Sequence, residues 1–531
     1  MALIEPTVVP DPDQLGPVHF IAIGGSGMNG VATVFAQRGI EVSGSDRNDS
    51  DYLRSLAALG VRTHVGHAAE QLGDARTVVA SSAIRDSNPE LARARERGLT
   101  VLHRSVALAS LMSGKRGISI AGTHGKTTTT AMTAHLLTAL GADPSYVIGG
   151  ALHHPSTGSA TEDRSDSGTE KGDAAEHPKT GGHLGSGPDF VVEADESDGS
   201  FLQYPTEIAV ITNVDPDHLV NWGTPDNYRA GFLRFVTTPH PTADGSRVRL
   251  LVISADEPGA VQLTEQVRAH GAAGEPIPEI VTFGHDADAD IRISDESFAD
   301  LGSRFTLTDG EHSGPVRLVV PGDYNLWNAA AAYAVATRTG HQPAAVREAL
   351  SSYPGTYRRF QLVGSNGGVR VFDDYAHHPT EVANTVKAAR AAVDDSGSGR
   401  LVAVMQPHLY TRTRDFWREF GAALQPADEA VVMDVCGDRE DPIDGITGKL
   451  VADAVPAGSA HVTYEPDWDA TAATVAGIAR PGDLVITLGC GDVTKVAPLI
   501  VNELGTRSGD PGYGDRGPAG REATGDPTAA R

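Results

Sequence analysis

The sequence predicts an α/β protein of three domains, each a largely parallel sheet with helices on both faces. Three observations support this prediction. The chain has 531 residues, and domains typically take roughly 100–200 residues each. Short apolar, strand-like runs alternate with helix-like runs, and most of the strand-like runs are followed directly by Gly, Asp or Ser. Hydrophobic residues make up 40% of the chain, enough to fill real cores.

The strand-like runs form two sets along the chain. The first set is His19–Ile23, Thr77–Ala80, Phe190–Glu193, Ile208–Thr212 and Leu250–Ile253. The second set repeats the pattern after about residue 357 and comprises Val369–Asp373, Leu401–Met405, Ala430–Met433 and Leu484–Leu488. We therefore place domain boundaries near residues 113 and 357, which gives domains 1–113, 114–356 and 357–504.

Two segments have the composition of disordered chain. Residues 155–187 and 505–531 are rich in small, polar and charged residues and almost free of large apolar ones. Such a composition cannot offset the entropy lost on ordering. We expect a disordered insertion and a disordered tail, and we assign no chemistry to either.

Composition also excludes some classes of function. A formal net charge of −26 argues against nucleic acid or an anionic membrane surface as the main partner. Two cysteines, Cys436 and Cys490, are too few for a disulfide framework or a zinc ribbon. Residues 1–16 lack the basic and apolar regions of a signal peptide, and no run has the ~18 apolar residues of a membrane span. We expect a soluble cytoplasmic protein.

The run Gly122-Thr-His-Gly-Lys-Thr-Thr128 is the most informative motif. It follows the β-branched run Ile118-Ser-Ile120 and precedes a helical pattern. A glycine-rich turn at a helix N-terminus presents N–H groups to phosphate oxygens. Lys126 would reach the β- and γ-phosphates, and the Thr127 hydroxyl would bind Mg²⁺. The motif predicts binding of a nucleoside triphosphate.

A second glycine motif lies near the N-terminus. Gly25-x-Gly27-x-x-Gly30 follows a strand-like run, and Asp46 ends the next strand about twenty residues on. Taken alone, this pattern fits NAD, another diphosphate-containing nucleotide, or a tight turn without a ligand. The turn specifies a diphosphate at a helix N-terminus but not which nucleotide carries it.

Acidic residues follow two strands of the middle domain. Glu193-Ala-Asp-Glu-Ser-Asp198 ends one strand, and Asp215-Pro-Asp217-His218 follows the next. Ligands of open α/β sheets bind at such strand ends. Mg²⁺ prefers oxygen ligands and takes few from the protein. Thr127 and Glu193 would meet that demand, with His218 as a ligand of a second ion or as an orienting group for a metal-bound water.

Together these motifs resemble the Mur ligases of peptidoglycan synthesis, which are ATP-dependent amide-forming enzymes. The resemblance runs from His19 to about Leu499. The motifs that carry it, besides those above, are Ser43-Gly-Ser-Asp46, Ser81-Ser-Ala-Ile84, Asn88-Pro-Glu90, Asn325 with Asn328, Tyr357-Arg-Arg-Phe360, Asp373-Asp-Tyr-Ala-His-His-Pro-Thr-Glu381, Gln406-Pro-His408, Tyr410-Thr-Arg-Thr-Arg414 and Gly489-Cys-Gly-Asp492.

The resemblance implies a Rossmann-like UDP-sugar-binding domain, a P-loop-type ATPase domain and a Rossmann-like C-terminal domain. It implies ATP and Mg²⁺, with UDP-N-acetylmuramate and L-alanine as substrates. It implies that the ligand of the first glycine motif is a UDP-sugar and not NAD. The implied UDP-sugar residues are Gly25, Ser26, Gly27, Met28, Asp46 and Ser81. The implied ATP residues are Gly122, Thr123, His124, Gly125, Lys126, Thr127, Thr128, Asn325, Asn328 and Asp374.

The resemblance also implies roles in catalysis. Lys126, Glu193 and His218 would serve phosphoryl transfer, with Thr127, Glu193 and His218 as metal ligands. Tyr375 and Arg412 would bind the amino acid. A base is needed near the attacking amine, and by residue type it is His377 or His378.

The sequence departs from the family pattern at three places. Leu409 stands where many members carry Arg, Tyr324 stands where His commonly precedes Asn325, and the expected Gly-x-Asn-Ala reads Gly182-His-Leu-Gly185. Rival interpretations are a family member that adds a whole tripeptide, a nicotinamide-dependent oxidoreductase fused to a P-loop module, and a non-catalytic nucleotide-binding regulator.

Overall fold

The computed structural model describes residues 3–150, 180–242, 245–299, 301–438 and 440–508. The chain divides into two compact units, Met1–Tyr357 and Arg358–Arg531. The first unit contains two sheets and the second contains one. None of the helices in the described part of the chain combines the length and the apolar character that a bilayer crossing requires.

The first sheet is five-stranded and parallel, in the order β3-β2-β1-β4-β5. Its strands are β1 (Val18–Ile21), β2 (Val42–Asp46), β3 (Arg62–Val65), β4 (Thr77–Ala80) and β5 (Thr100–His103). Its helices are α1 (Ser26–Gln37), α2 (Asp51–Ala58), α3 (Pro89–Glu96) and α4 (Arg104–Met112). The strand order reverses between β1 and β4, and ligands bind at such a switch point in open α/β sheets. The N-terminus of α1 follows β1 at this point.

The second sheet is ten-stranded, in the order β15-β14-β13-β12-β11-β10-β6-β9-β7-β8. Its strands are β6 (Arg116–Ala121), β7 (Ser145–Val147), β8 (Gly182–His183), β9 (Asp189–Glu193), β10 (Ile208–Ile211), β11 (Leu250–Ser254), β12 (Glu279–Gly284), β13 (Ile291–Ala299), β14 (Gly302–Asp309) and β15 (His312–Leu318). Its helices are α5 (Lys126–Ala139), α6 (Leu219–Trp222), α7 (Pro225–Thr237), α8 (Pro258–Ala272), α9 (Tyr324–Arg338) and α10 (Pro343–Leu350). Strand β6 lies between β9 and β10, so the loops that follow these three strands meet at one edge.

The central strands of this sheet are buried on both faces. Ile118, Ile120, Val191 and Val210 are fully excluded from solvent, as expected of parallel strands covered by helices. A continuous apolar cluster extends from Val18 in the first sheet into the second. The two sheets of the first unit therefore share a core.

Strands β13, β14 and β15 form an antiparallel meander at one end of the second sheet. The sequence pattern predicted only parallel strands with helices, and this extension departs from it. The meander exposes one face: along β14 the residues alternate between buried and less buried, which is the pattern of a sheet with one face toward solvent.

The second unit contains one six-stranded sheet in the order β16-β17-β21-β18-β19-β20. Its strands are β16 (Gln361–Asn366), β17 (Val369–Asp374), β18 (Leu401–Met405), β19 (Glu429–Met433), β20 (His461–Glu465) and β21 (Leu484–Leu488). Its helices are α11 (Pro379–Asp395), α12 (Tyr410–Ala423), α13 (Lys449–Ala454), α14 (Trp468–Ile478) and α15 (Val493–Ser508). All pairings are parallel except β16 with β17. These three sheets confirm the predicted three-domain α/β architecture.

The prediction of disorder is wrong at two places. Residues 180–187 contain β8, whose Gly182 pairs with Val147 of β7, and residues 505–508 continue α15. The glycine-rich composition of 180–187 reflects close packing: a Cβ at Gly185 or Gly187 would collide with the backbone of residues 142–144. The rest of the two segments, 155–179 and 509–531, lies outside the described residues.

Candidate functional site

The motif at residues 122–128, which the sequence predicts to bind phosphate, forms a strand–turn–helix, and its turn is called the phosphate-binding turn below. Strand β6 ends at Ala121, and α5 begins at Lys126. Gly122 and Gly125 have φ angles of +134° and +81°, in the region where residues with a Cβ are strained. A Cβ at Gly125 would also lie 2.7 Å from Asn328 Oδ1. The two glycines are therefore required by the turn itself.

The residues that follow β10 hold this turn in place. Asn213 Oδ1 accepts a hydrogen bond from His124 N at 2.9 Å, and Thr212 Oγ1 donates to His124 O at 2.6 Å. Thr123 Oγ1 donates to Asp215 O at 2.7 Å. The turn is thus braced from the neighbouring strand rather than held by its own residues alone.

Lys126 bends back over the turn. Its Nζ donates to Gly122 O at 2.6 Å and to Thr123 O at 3.0 Å, and it lies 2.8 Å from Glu196 Oε2. These three contacts match the three donors of an ammonium group. The charged groups around it, Glu196 above all, raise the pKa of Lys126 against the opposing effect of burial, so the amine is cationic.

Glu196 is the partner of Lys126, and the sequence did not single it out among the four acids of its cluster. The side chain is fully buried. Burial raises the pKa of Glu196 to about 7, although Lys126 opposes the rise. Tyr228 donates a hydrogen bond to Glu196 Oε1 at 3.4 Å, and its hydroxyl also contacts Thr123 Oγ1 at 2.8 Å.

Thr127 and Glu193 meet beside the turn, as the sequence predicted. Thr127 Oγ1 donates to Glu193 Oε1 at 3.0 Å, and Gly149 N donates to Glu193 Oε2 at 2.8 Å. A hydroxyl and a carboxylate are hard oxygen donors of the type that Mg²⁺ prefers. This pair fits a single magnesium ion next to the phosphate-binding turn.

His218 is placed with Asp217 at the start of α6. Its backbone has a φ of +52°, and its Nε2 lies 3.4 Å from Asp217 Oδ2. Among the residues that the structure describes, no three His, Cys, Asp or Glu side chains converge as a metal-binding group. The assignment of His218 to a second ion or to a metal-bound water stays a prediction.

Asn325 and Asn328 lie on the first turns of α9, and both are buried. Asn328 Nδ2 donates to Asn325 Oδ1 at 3.0 Å, and Asn328 Oδ1 accepts from Thr129 at 3.0 Å. Asn325 Nδ2 donates to Pro321 O at 2.6 Å. Asn328 thus connects α9 to helix α5, and Asn325 holds Asn328 and the loop before α9.

The first glycine motif forms the turn between β1 and α1. Gly25 is the N-cap of α1, and no side chain caps this helix end. Asp46, the last residue of β2, accepts a hydrogen bond from Gly24 N at 3.0 Å through its Oδ2. This acid therefore stabilises the turn between β1 and α1. Ser26 is exposed and Met28 is buried. Ser81, which directly follows β4, is partly exposed at the same edge of the sheet.

Arg104 is a further residue at this turn, which sequence reasoning missed. A Cβ at Gly27 would collide with the Arg104 guanidinium, and Arg104 Nη2 lies 3.3 Å from Asp195 Oδ2. Burial would raise the pKa of Asp195, but Arg104 and Lys126 outweigh it and hold that pKa well below its ordinary value. Arg104 thus lies between the first glycine motif and the acid run that follows β9, and no local sequence motif indicates this position.

In the second unit, Asp374 ends β17 and is buried. Its carboxylate accepts hydrogen bonds from Phe360 N and Ala376 N, both at 2.8 Å. Burial raises the pKa of Asp374 to about 6, with Arg359 and the two backbone N–H groups opposing the rise. These contacts hold the segment before β16 and the loop after β17.

Tyr375 lies among cations in the same unit. The guanidinium carbons of Arg358 and Arg359 lie 4.8 Å and 5.2 Å from its ring centre. Burial raises the pKa of Tyr375 to about 12. His377 packs edge-on against this ring, and its Nδ1 lies 3.2 Å from Glu381 Oε2. The contact with Glu381 orients the imidazole ring.

Arg412 lies on the first turn of α12 and is partly buried. It forms no ion pair with a carboxylate within the part of the chain that the structure describes. Burial raises the pKa of Cys490 to about 12 against the opposing fields of Arg412 and Arg358, which places both cations near this thiol. Leu409, the N-cap of α12, has a φ of +69°.

Comparison with known proteins decides the family. The chain is 50% identical over 504 residues to the UDP-N-acetylmuramate–L-alanine ligase of Cutibacterium acnes, covering 95% of this chain and 99% of the relative. The chain belongs to the Mur ligase family. The ligase of the same name from Kineococcus radiotolerans is 48% identical, with coverages of 93% and 97%.

The family models and a solved structure agree with this membership. The models "Mur ligase family, catalytic domain", "Mur ligase middle domain" and "Mur ligase, glutamate ligase domain" match residues 17–116, 120–336 and 358–491. The crystal structure of the UDP-N-acetylmuramate–alanine ligase of Thermotoga maritima matches with a TM-score of 0.72 and 27% identity, covering 92% of this chain and 99% of that one. The predicted resemblance to the Mur ligases is confirmed.

Proposed function

We propose that this Mur ligase joins L-alanine to the lactoyl carboxylate of UDP-N-acetylmuramate, with ATP converted to ADP and phosphate, as a cytoplasmic step of peptidoglycan precursor synthesis. The observation that carries the proposal is the Thr127–Glu193 pair beside a braced phosphate-binding turn, at 3.0 Å. The substrates follow from near-full-length similarity to relatives that bear the L-alanine ligase name.

Amide formation from a carboxylate requires activation, because a carboxylate oxygen is a poor leaving group at neutral pH. Transfer of the γ-phosphoryl group to the lactoyl carboxylate gives an acyl phosphate and ADP. The alanine amine then attacks the acyl carbon, and phosphate leaves with one of the original carboxylate oxygens. A proton is lost from the amine in this step.

The phosphate-binding turn serves the first half of this reaction. The N–H groups of residues 122–128 and the N-terminus of α5 bind the phosphate oxygens. Lys126 offsets the negative charge of the phosphoryl group as the carboxylate approaches it. To do so, its amine exchanges the carbonyls of Gly122 and Thr123 for phosphate oxygens.

We propose that Thr127 and Glu193 hold a magnesium ion, because they present a hydroxyl and a carboxylate at one point. Such an ion, when bound, neutralises charge on the transferring group. His218 stays a prediction as the ligand of a second ion or as a group that orients a metal-bound water. Its contact with Asp217 orients the imidazole for either role.

The substrate sites follow the family resemblance. The UDP-sugar is proposed to bind at the turn between β1 and α1, through Gly25, Ser26, Gly27, Met28, Asp46 and Ser81. Asn325 and Asn328 are proposed to lie beside the adenine, and Asp374 is proposed to contact the ribose. Tyr375 and Arg412 are proposed to bind the alanine, with His377 as the base. We place the domain limits at 1–113, 114–356 and 357–504.

The test is isotope transfer from the carboxylate. UDP-N-acetylmuramate labelled with ¹⁸O in its lactoyl carboxylate is incubated with ATP, Mg²⁺ and L-alanine, and the products are analysed by mass spectrometry. We expect one ADP and one phosphate for each amide formed, with one ¹⁸O in the released phosphate. Amide formation with unlabelled phosphate would exclude the acyl phosphate.

A further inference from the structure

Asn29 is fully buried on the first turn of α1. Its Nδ2 donates to Gly25 O and to Ser26 O, both at 2.9 Å. Its Oδ1 accepts a hydrogen bond from Gly181 N at 2.8 Å. The amide therefore joins the turn after β1 to the segment that leads into β8.

These contacts determine how the turn presents its N–H groups. In a planar trans peptide the N–H points away from the carbonyl. Fixing the carbonyls of Gly25 and Ser26 therefore fixes the N–H groups of Ser26 and Gly27. Those groups lie at a helix N-terminus, where N–H groups lack helical partners and bind anions. The Asn29 side chain thus adds to the backbone hydrogen bonds that already hold the Gly25 carbonyl and supports the orientation of these N–H groups.

Helix α1 and β8 also pack backbone against backbone. A Cβ at Gly30 would lie 2.8 Å from Gly181 O, and a Cβ at Gly182 would collide with the backbone of Gly30. The third glycine of the Gly25-x-Gly27-x-x-Gly30 motif therefore serves an approach between the first and second sheets. Helix α1 is therefore in direct backbone contact with Gly181 and Gly182.

From Gly181, hydrogen bonds continue to the phosphate-binding turn. Ile148 N donates to Gly181 O at 2.8 Å. The next residue, Gly149, donates its N–H to Glu193 Oε2 at 2.8 Å. Glu193 Oε1 accepts from Thr127 at 3.0 Å. The two glycine motifs are connected by successive hydrogen bonds and one peptide link.

We propose that Asn29 is a positioning residue that couples ligand binding at the first glycine turn to the position of Glu193 beside the phosphate-binding turn. The proposal rests on the proposed function for the identity of the ligands, a UDP-sugar and ATP. If the two sites are coupled, each ligand changes the affinity of the other by the same factor. Asn29 carries that factor because, among the residues that the structure describes, it is the one that hydrogen-bonds both the Gly25 turn and Gly181.

Gln37 provides a matched control on the same helix. Gln37 Oε1 accepts a hydrogen bond from Leu184 N at 2.7 Å. It therefore joins the same helix to the same segment as Asn29 does, but at the far end of α1 from the glycine turn. If Asn29 only attached the helix to β8, Gln37→Ala and Asn29→Ala would have equal effects.

The experiment measures affinities by calorimetry on the full chain. The dissociation constant of UDP-N-acetylmuramate is determined with and without a non-hydrolysable ATP analogue and Mg²⁺. In the unsubstituted protein we expect the two values to differ by about 5-fold or more, the lower end of typical coupling. In Asn29→Ala we expect their ratio to fall to nearly one, and in Gln37→Ala we expect it to be unchanged. Asn29→Asp keeps an acceptor for Gly181 but loses both donors, and is used in the same way if Asn29→Ala does not fold.

Three results would overturn the proposal: no coupling in the unsubstituted protein, an unchanged ratio in Asn29→Ala, or an equal loss in Gln37→Ala. The measurements are repeated with UDP in place of UDP-N-acetylmuramate. If the protein shows no turnover with any amino acid but UDP and the ATP analogue are coupled through Asn29, the proposed function fails and the positioning role stands.

Discussion

Lys126 Nζ and Glu196 Oε2 lie 2.8 Å apart. The Glu196 side chain is fully buried, and the Lys126 side chain is 14% exposed. Because the amine also donates to two carbonyls of its own turn, its three donors are all used within the protein. Binding of a phosphate group therefore competes with the contacts that Lys126 already makes.

The first prediction concerns stability and pH. Burial raises the pKa of Glu196 from 4.5 to about 7. Between pH 4.5 and about pH 7, the folded protein therefore binds more protons at this site than the unfolded chain does. The contribution of Glu196 to stability is then fully present below pH 4.5 and is lost as the pH rises to about 7. We expect the melting temperature of the native protein, relative to that of Glu196→Gln, to fall between pH 4.5 and 7.

The comparison with Glu196→Gln is needed because other groups titrate in this range. Burial lowers the pKa of His103 to about 4, which gives the opposite slope. Glu207→Gln, at a site 40% exposed, serves as a control for the loss of a carboxylate near the surface. If the difference in melting temperature between the native protein and Glu196→Gln stayed constant across this pH range, the raised pKa of Glu196 would be contradicted.

The second prediction concerns Lys126→Ala. Loss of a group that stabilises developing charge typically lowers turnover by about 10²–10³-fold, and we expect at least that loss of phosphate release from ATP. UDP-N-acetylmuramate affinity, measured by calorimetry, should stay within a few-fold. Lys449→Ala, a surface lysine that is 59% exposed, should leave both unchanged. Retained turnover in Lys126→Ala would exclude the phosphate role of the turn.

The third prediction concerns Thr127, the proposed metal ligand. Thr127→Val removes the hydroxyl next to Glu193 at nearly constant volume. A hydrogen bond to a charged group contributes ~1.5–3 kcal/mol, so the Mg²⁺ concentration for half-maximal activity should rise about tenfold or more. The measurement is phosphate release across a Mg²⁺ titration.

Thr130→Val is the matched control for Thr127. Thr130 lies on the same helix and donates its hydroxyl only within it, to Lys126 O at 2.8 Å. We expect its Mg²⁺ dependence to equal that of the unsubstituted protein. Equal shifts in the two valine variants would show that the effect comes from the helix and not from a metal site.

The fourth prediction concerns Arg412, a cation that has no carboxylate partner among the described residues. A charge-assisted contact with the carboxylate of alanine is expected to contribute ~1.5–3 kcal/mol. Arg412→Ala should therefore raise the KM for L-alanine about tenfold or more and leave the KM for UDP-N-acetylmuramate unchanged. Steady-state kinetics with each substrate varied in turn provides the measurement.

Arg414 tests whether any arginine of α12 has this effect. It lies two residues further along, is 52% exposed and pairs with Asp415 at 2.7 Å. Arg414→Ala should leave the KM for L-alanine unchanged. If Arg414→Ala raises it and Arg412→Ala does not, the amino acid site was assigned to the wrong arginine.

Local patterns predicted the parallel strands, the phosphate-binding turn and the pairing of Thr127 with Glu193. They did so because a strand, a glycine turn and a helix start are neighbours in sequence, and parallel strands bring their carboxyl ends to one edge. The acid run at 193–198 showed that a carboxylate would face the turn. It did not show that Glu196, rather than Asp195, would pair with Lys126, because that choice depends on side-chain directions in a loop.

Long-range packing was not predictable in the same way. Glycine-rich residues 180–187 matched the composition of disordered chain, yet Gly181 and Gly182 are there because Gly30 approaches them. The partner lies about 150 residues away in the chain, and a single sequence does not reveal it. The position of Arg104 was not predicted for the same reason. Of its two contacts, Gly27 follows a strand of the first sheet and Asp195 follows a strand of the second.

The most direct test of the central claim is phosphate release from ATP in the presence of Mg²⁺ and UDP-N-acetylmuramate. The acceptors compared are none, L-alanine, glycine, L-serine and the tripeptide, with Lys126→Ala as the blank. We predict that phosphate release requires both the sugar nucleotide and a single amino acid, with L-alanine most effective. Release with the tripeptide alone, or no release with any acceptor, would contradict it.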